Sequence, residues 1–470
     1  MIAPTRVVPG TSSARTWPAT VALLLSLASP ASTQEAGLVG SGFDPELWRP
    51  LPAHQQQVIR QLAPGIARAM ESRDAPGLAA QLDQLERSLG DFAGYPERRP
   101  EYGGPIDASA PDFRALSEAW AGSFSRMAGR QGWEGASPAD ADIQEGNRLR
   151  VTVRHVRAYL QSWEASLPDR DAYLRRAREG LDYLLTAQSE RYGVFGYPYH
   201  PGGPGLKSSA ASMVERAFRA GHPRDDVVEN GWIVNVFNLG DGGLQFDNGM
   251  SGIALLYGYA ATGDERYLRA AERAGEWAAS QILVTNWNYN SFSGYLLSRL
   301  YRVTGEHRWL DAARIKMEIG TMPGQRANGR WIDPHNARIQ YHSVMLRAMI
   351  EYWLARVQAG DSRADEVRGR IALGLDNLAE QINRFGASNA HEALALDALS
   401  LGLIALGPYA DWRRAADITV NYIVGGMKPR LEERGLPLTE TLASYLLYRR
   451  FDSGATDLPA ELSPGLRAAR

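Results

Sequence analysis

The stretch GMSGIALLYGYAATGDERYLRAAERAGEW, residues 249–277, decides the fold class. Its apolar residues recur at spacings of three and four on both sides of Thr262-Gly263-Asp264, which is typical of two amphipathic helices joined by a tight turn. In this interpretation the glycine ends the first helix and the aspartate caps the second. The stretch therefore predicts a helical hairpin.

The same hairpin pattern recurs along the chain. An acidic or glycine-containing turn, an aromatic residue, a leucine and a small residue are shared by segments around Tyr173, Tyr267 and Trp309, with a weaker copy at Trp412. Repeated hairpins of this kind either stack into an open solenoid or close into a ring. Long loops rich in glycine and aromatic residues, such as 229–249, favour the ring. We therefore expect an all-α fold, an (α/α) toroid with long loops on one face.

The N-terminus has the order of features found in a secretory signal. Arg6 and Arg15 precede a short apolar run, and small residues follow it up to Ala31. This order predicts a signal peptide over residues 1–31 and a secreted or periplasmic protein. The alternatives are a disordered cytosolic leader and a misassigned start codon.

The rest of the chain divides at a link rich in proline and glycine between Pro96 and Pro111. We expect an N-terminal helical extension over residues 32–110, a toroid catalytic domain over residues 111–455 and a flexible tail over residues 456–470.

Composition excludes several classes of function. The 51 basic and 53 acidic residues are mixed along the chain, with a formal net charge of -2, and there is no cysteine. A nucleic-acid partner is not expected, because no basic stripe is present to contact phosphates. Thiolate catalysis and thiolate metal sites are excluded. No cofactor is expected, and the mature protein has no segment apolar and long enough to cross a membrane.

Two stretches resemble known carbohydrate enzymes. The pattern of residues 249–277 is similar to the helical hairpins of α/α-toroid enzymes, which include glycoside hydrolases, polysaccharide lyases and sugar epimerases. ARIQYHS, residues 337–343, resembles the Ala-Arg-Trp-Asp-Tyr-His-Thr motif in the C-terminal catalytic domain of D-glucuronyl C5-epimerases. This resemblance implies a catalytic role for Tyr341, with Arg338 and His342 as its motif neighbours.

The residue types around this motif suit proton abstraction beside a carboxylate. The C5 proton of a uronic acid is hard to remove because the adjacent carboxylate is already anionic, and Arg338, Asn336 and His342 could neutralise it. Tyr341 could then act as the base, its pKa lowered by the nearby positive charge. Return of the proton on the other face would be epimerisation, and loss of the 4-O bond would be β-elimination. The single motif tyrosine slightly favours a polysaccharide lyase over a uronate C5-epimerase.

Substrate-binding candidates are mainly aromatic residues of predicted loops, since the apolar face of a sugar stacks on indole and phenol rings. They are Trp331, Trp232, Trp287, Tyr289 and Tyr197, together with the polar residues His335, Asn248 and Asp247. Alternatively, these aromatics only cover helix ends, the Tyr341 motif only starts a helix, and Asp247-Asn248-Gly249 only forms a turn.

Two further functions remain open for a glycan substrate. A glycoside hydrolase would use paired carboxylates, for which the candidates are Glu229, Asp241, Asp247, Asp333, Glu392 and Glu440. A helical array could also be a non-catalytic glycan-binding scaffold. A metal site formed by Asp333, His335 and His342 is disfavoured, because their spacing fits no recognised ligand pattern.

Overall fold

The structure is a computed structural model. It describes residues 53–89, 148–166, 170–198, 208–229, 232–235, 243–284, 286–331, 339–387, 392–434, 439–454 and 459–463. The predicted signal peptide, the link between Pro96 and Pro111, and the candidate site residues His335, Asn336 and Arg338 lie outside the described residues. The predicted domain boundaries therefore stay predictions.

The described chain is almost entirely helical. Its helices are α1 (Ala53–Glu71), α2 (Ala75–Leu89), α3 (Arg148–Glu164), α4 (Arg170–Ala187), α5 (Ser208–Arg219), α6 (Arg224–Val227), α7 (Gly243–Thr262), α8 (Glu265–Ser280), α9 (Trp287–Thr304), α10 (His307–Arg314), α11 (Ile339–Gln358), α12 (Ala364–Phe385), α13 (Glu392–Leu406), α14 (Ala410–Arg434) and α15 (Thr439–Asp452). A π-helical turn, Ile315–Ile319, continues α10, and a 3-10 turn spans Met322–Gly324. β1 (Tyr197–Pro198), β2 (Val228–Glu229) and β3 (Trp232–Ile233) form a small antiparallel sheet in the order β1-β3-β2.

Six helices form a closed inner ring. α3, α7, α9, α11, α13 and α15 pack side by side in this order, and α15 packs back onto α3. The inner helices α3 and α7 run in the same direction, because Arg150 near the start of α3 donates to Asp247 near the start of α7, while Tyr257 near the end of α7 donates to Glu164 at the end of α3. The predicted (α/α) toroid is confirmed.

Five helices form an outer layer, each packed against the inner helix that precedes it: α4, α8, α10, α12 and α14. The sequence explains the two layers. The inner helix α13, EALALDALSLGLIAL, is apolar on nearly every side, whereas the outer helix α8, ERYLRAAERAGEWAAS, carries its charges on one face. An all-round apolar helix must be covered on all sides, but an amphipathic helix needs only one partner face. α1 and α2 form a further hairpin, and α2 contacts the Met322–Gly324 turn.

The repeated aromatic residues anchor the outer layer. Tyr173, Tyr267, Trp309 and Trp412 lie on α4, α8, α10 and α14, and all four are buried. Burial of an aromatic side chain supplies a large part of the energy that holds a helix in place. The repeat in the sequence is therefore the repeated contact of an outer helix with the ring.

The predicted hairpin turn is also confirmed. Gly263 has a φ of +71°, in the left-handed region that suits glycine at a helix end. Asp264 then caps α8, because its side chain accepts a hydrogen bond of 3.0 Å from the backbone N–H of Arg266. Among the described residues, no helix has the length and apolar character needed to span a membrane.

Two stretches that the sequence predicts as a turn and a loop are helical in the structure, so these predictions are wrong. Asp247-Asn248-Gly249 lies inside α7 and not in a turn, and Trp287 and Tyr289 lie in the first turn of α9 and not in a loop. The reason is tertiary. The Asn248 side chain donates to the carbonyl of Ala274 at 2.9 Å and accepts from the backbone N–H of Phe195 at 3.2 Å. Distant partners satisfy a side chain that would otherwise bond its own backbone in a turn.

Candidate active site

A pocket lies inside the inner ring, and residues of all six inner helices line it. Phe246, Met250 and Phe292 line it near the starts of α7 and α9, and Val344 and Leu394 line it from α11 and α13. Deeper positions along the inner helices contribute polar groups, which are Arg157, Tyr257, Tyr295 and Arg347. The pocket is therefore mostly apolar in its upper part, near the starts of the inner helices, apart from Arg154 and Glu440, and has a charged floor.

The floor is a network of buried charges. Arg157 donates to both oxygens of Asp397, at 2.7 and 2.8 Å, and to both oxygens of Glu461, at 2.9 and 3.0 Å. Arg347 adds contacts of 3.1 Å to Asp397 and 3.2 Å to Glu461, and Gln161 donates to Glu461 at 2.9 Å. These carboxylates raise the pKa of Arg157 well above its ordinary value despite burial. The network joins three helices that are far apart in the chain.

Glu461 comes from the C-terminal segment, residues 459–463, part of the stretch that we expected to be a flexible tail. Its backbone is held by the inner ring: Arg299 donates to the carbonyl of Ala460 at 2.7 Å, and Arg302 donates to the carbonyl of Leu462 at 2.6 Å. Burial raises the pKa of Glu461, but Arg157 and Arg347 lower it by more, so the net shift is downward. Glu461 is therefore a buried carboxylate anion beneath the pocket.

Two tyrosines on the pocket wall differ in their partners. The hydroxyl of Tyr257 donates to Glu164 at 2.6 Å. The hydroxyl of Tyr295 has no hydrogen-bond partner, although the residue is only 3% exposed, and the guanidinium carbon of Arg347 lies 5.9 Å from its ring centre. Burial and the charge of Glu461 raise the pKa of Tyr295. Tyr295 is thus a neutral hydroxyl with its donor unused.

Two ion pairs stand near the starts of the inner helices. Arg150 binds both oxygens of Asp247, at 2.7 and 2.8 Å, and its guanidinium lies 4.2 Å from the ring centre of Phe246. Arg154 lies 3.3 Å from Glu440, and both line the pocket. The Arg154 side chain is 39% exposed, so it can reach a ligand in the mouth.

The predicted base, Tyr341, is half-buried in the first turn of α11. It lies one turn before Val344 and two before Arg347, two residues that line the pocket. Residues three or four apart share one face of a helix. The motif tyrosine therefore lies on the helix that forms one wall of the pocket.

His342, its neighbour in the motif, is buried outside the set of residues that line the pocket. Its ring meets the edge of Trp331 with centroids 5.8 Å apart, and it is hydrogen-bonded to the Trp331 backbone. Burial lowers the pKa of His342 well below its ordinary value, and Arg330 lowers it further. At neutral pH the imidazole is uncharged in this position.

Three of the predicted sugar platforms are in the core. Trp287, Trp331 and Trp232 are 0%, 1% and 4% exposed. The Trp331 indole donates to the carbonyl of Thr321 at 2.8 Å. A sugar stacks only on an exposed ring face, and these rings present none in this structure.

Three other binding candidates have different surroundings. Tyr289 is half-buried, and its ring meets that of Phe246 edge-on with centroids 6.1 Å apart, which places it beside the pocket. Asn248 is fully buried, and its side chain donates to the backbone carbonyl of Ala274. Tyr197 belongs to β1, and its side chain is outside the described part.

The candidate carboxylates for hydrolysis are dispersed. Glu440 lines the pocket, Asp247 is held by Arg150, and Glu229 accepts bonds from Ser189 and the backbone of Glu190 beside the small sheet. Asp241 and Asp333, like the Glu392 side chain, lie outside the described residues. Within the part of the chain that is described, no three histidine or acidic residues are grouped so that they could hold a metal ion.

Comparisons with known proteins add three structural likenesses. No family model and no curated protein matches the chain. Among solved structures, cellobiose 2-epimerase from Spirochaeta thermophila DSM 6192 is 13% identical, with 64% of this chain and 86% of that chain covered and a TM-score of 0.44. A polysaccharide lyase is 10% identical, with 73% and 99% covered and a TM-score of 0.46. A GH76 α-mannanase from Bacteroides thetaiotaomicron is 13% identical, with 72% and 97% covered and a TM-score of 0.44. Likenesses this distant say nothing about individual site residues.

Several residues of the floor were not predicted from the sequence. They are Arg157, Tyr295, Arg347, Asp397 and Glu461. All of them except Glu461 lie in helices with an apolar residue on either side, as Arg347 does in VMLRAMIEYWLARV. A charged or polar residue in such a position is rarely buried without a partner, so it could have indicated a buried polar contact. Glu461 carries no such signal, since it follows the last helix in a stretch without periodicity.

Proposed function

We propose that the protein is a carbohydrate-active enzyme that abstracts the C5 proton of a uronic-acid unit in a poly- or oligosaccharide, as a polysaccharide lyase or a uronate C5-epimerase. The observation that carries this proposal is the position of the Tyr341 motif. It begins α11, the helix that supplies Val344 and Arg347 to the pocket. A candidate base and a candidate partner for the substrate carboxylate are thus carried by the helix that forms one wall of the pocket.

The chemistry requires both groups. A uronate carboxylate is already anionic, so removal of the neighbouring proton places a second negative charge on the same system. Cationic and strong hydrogen-bond donors that are already in place stabilise that charge as it develops. Arg347 and Arg154 are guanidinium groups in the pocket. Arg338 of the motif and Asn336 just before it are further candidate donors. The proposal gives Tyr341 the role of base or acid.

The upper pocket suits the rest of a sugar chain. Phe246 and Phe292 lie with their ring centroids 4.2 Å apart, and Tyr289 adjoins them. Aromatic surfaces accept the apolar faces of pyranose rings, and a buried apolar wall excludes water from the reacting centre. In this proposal these three rings replace the buried tryptophans as the binding surface for sugars.

A glycoside hydrolase is the second candidate. It is favoured by Glu440, a carboxylate that lines the pocket beside Arg154. Hydrolysis needs a second carboxylate across the bond that breaks. Glu461 lines the pocket too, but it is already bound by two arginines and a glutamine, which leaves it little capacity to transfer a proton.

The deciding experiment is incubation of the protein with alginate, heparosan, glucuronan and pectate. Growth of ultraviolet absorbance from unsaturated products indicates a lyase. Deuterium entry at C5 without cleavage indicates an epimerase, and new reducing ends without unsaturation indicate a hydrolase. If none of the polymers is changed, the non-catalytic glycan-binding scaffold is favoured over all three enzymatic functions.

Two variants test the role of the motif tyrosine. Tyr341→Phe should lower kcat at least about a hundredfold, as expected when a general acid or base is lost. Tyr409→Phe, an exposed tyrosine before α14, is the matched control and should keep full activity. Full activity of Tyr341→Phe would exclude this mechanism. Export is a separate proposal, which N-terminal sequencing of the mature protein would test.

A further inference from the structure

The inside of the ring holds more positive than negative charge. The ion pairs Arg154–Glu440 and Arg450–Glu164 are each balanced and are left out of this count. Below the pocket mouth, the other described residues supply four guanidinium groups and three carboxylates. The guanidinium groups are those of Arg157, Arg299, Arg302 and Arg347, and the carboxylates are those of Glu351, Asp397 and Glu461. A buried charge without a counter-charge is costly. The floor therefore favours one additional negative charge.

The excess positive charge lies at Arg299. Its nearest carboxylate is Glu351, at 3.6 Å, and the same carboxylate oxygen accepts a shorter bond of 2.8 Å from Arg302. One amino group of Arg299, Nη1, has no hydrogen-bond partner. Burial lowers the pKa of Arg299, and the neighbouring charge of Arg302 lowers it further, although Glu351 opposes this.

Two residues of the pocket wall near this charge carry buried donors without hydrogen-bond partners. Tyr295 lies one turn before Arg299 on α9, and its buried hydroxyl has no partner. Arg347 lies on the adjacent helix α11, and its Nε has no hydrogen-bond partner either. Both residues line the pocket. Buried donors are nearly always satisfied in native proteins, so a ligand acceptor between these two groups would satisfy donors that the protein leaves without a partner.

We propose that the pocket floor is a carboxylate-binding site, in which Tyr295 Oη and Arg347 Nε each donate to a sugar acid. The ligand class is a monoanionic hexuronate. One excess positive charge suits a monoanion, whereas a phosphate dianion would leave a net negative charge beside Glu461 and Asp397. The identity of the sugar rests on the proposed function, but the anion site rests on the geometry of the floor.

The test is calorimetric titration of the full chain with glucuronate, glucose and glucose 6-phosphate. Glucuronate should bind, and the two others should bind at least about tenfold more weakly, as a hydrogen bond to a charged group is lost or a second charge is added. Tyr295→Phe should weaken glucuronate binding about tenfold without lowering the melting temperature of the free protein, because its hydroxyl has no protein partner to lose.

Tyr352→Phe is the matched control on α11. Its hydroxyl donates to Glu318 at 2.6 Å, outside the pocket. This variant should melt at a lower temperature and bind glucuronate as the wild type does. The two variants thus separate a loss of ligand contact from a loss of stability.

Three results would overturn the site: no glucuronate binding, equal binding of glucose, or wild-type affinity in Tyr295→Phe. Failure of the proposed function has a different signature. If glucuronate binds in a Tyr295-dependent way but no uronate polymer is altered, the anion site stands and the proposed reaction does not. If uronate polymers are processed equally by wild type and Tyr295→Phe, the reaction stands and this site does not.

Discussion

Replacing Glu461 with glutamine tests whether the C-terminal segment is part of the folded ring. The carboxylate accepts four hydrogen bonds of 2.9–3.2 Å, from Arg157, Arg347 and Gln161. Removing one member of a buried charge network costs about 3–5 kcal/mol, because the remaining charges stay buried without compensation. Arg157 keeps both bonds to Asp397, so we expect the lower end, about 3 kcal/mol.

The expected loss depends on pH in a defined direction. The folded state lowers the pKa of Glu461, so its stabilising effect is complete above the unfolded-state value of about 4.3. It is lost as the pH falls through the folded-state value, because a proton then binds the carboxylate. The difference between the wild type and Glu461→Gln should therefore be largest at neutral pH and shrink below about pH 4.3.

Urea denaturation followed by tryptophan fluorescence measures this difference at a series of pH values. Glu179→Gln is the matched control, since Glu179 pairs with Arg176 on the surface and should contribute about 1 kcal/mol or less. A loss below about 1 kcal/mol for Glu461→Gln at pH 7, or a loss that does not change in acid, would refute the buried network.

Four further substitutions test the packing of the ring, the cap of α8 and the burial of Lys316. Gly249→Ala should destabilise by about 1–3 kcal/mol, because its Cβ would lie 2.7 Å from the carbonyl oxygen of Phe292. Gly369→Ala is the control, because a Cβ there meets no atom within 4 Å. It should stabilise the protein by about 0.5–1 kcal/mol in urea denaturation. If Gly249→Ala and Gly369→Ala changed the stability in the same direction, the close approach of α7 to α9 would be contradicted. Asp264→Ala should cost about 1 kcal/mol by removing the cap of α8, and an unchanged melting temperature would show that the cap contributes nothing. Burial lowers the pKa of Lys316 to about 7, so the unfolded chain binds more protons between about pH 7 and 10. Wild-type stability should rise across that range relative to Lys316→Met, and a constant difference would show that the lysine is not desolvated.

The fold was predictable because its unit is local. The hairpin of residues 249–277 is specified by helical spacing, a left-handed glycine and a capping aspartate, all within one stretch of sequence. The aromatic repeat marks the same contact of an outer helix with the ring each time it occurs. Closure follows only when the α15 helix meets α3, which no local pattern specifies.

The errors in secondary structure have one physical cause. Asp247-Asn248-Gly249 has the composition of a turn, yet Arg150 and the backbone of Ala274 bind its polar side chains and keep it helical. Gly249 is there because α9 approaches too closely for any Cβ. Local propensity is a weak preference, and tertiary contacts override it.

The site was predictable only in part, because sequence does not show which face of a helix is covered. The sequence predicts Trp287 and Trp331 as exposed loop aromatics, but both are buried in the core. Tyr289, two residues after Trp287, does adjoin the pocket. Whether an aromatic ring binds a sugar or the core depends on the rotation of its helix against its neighbours.

The sequence by itself determined that this protein is a set of helical hairpins, since helix periodicity, turns and caps depend on residues a few positions apart. Only the tertiary structure decided what lies inside the ring. Arg157, Asp397 and Glu461 meet across 240 and 304 residues of chain. Their contact depends on how the ring closes and where the C-terminal segment packs, and both are set by burial summed over the whole domain.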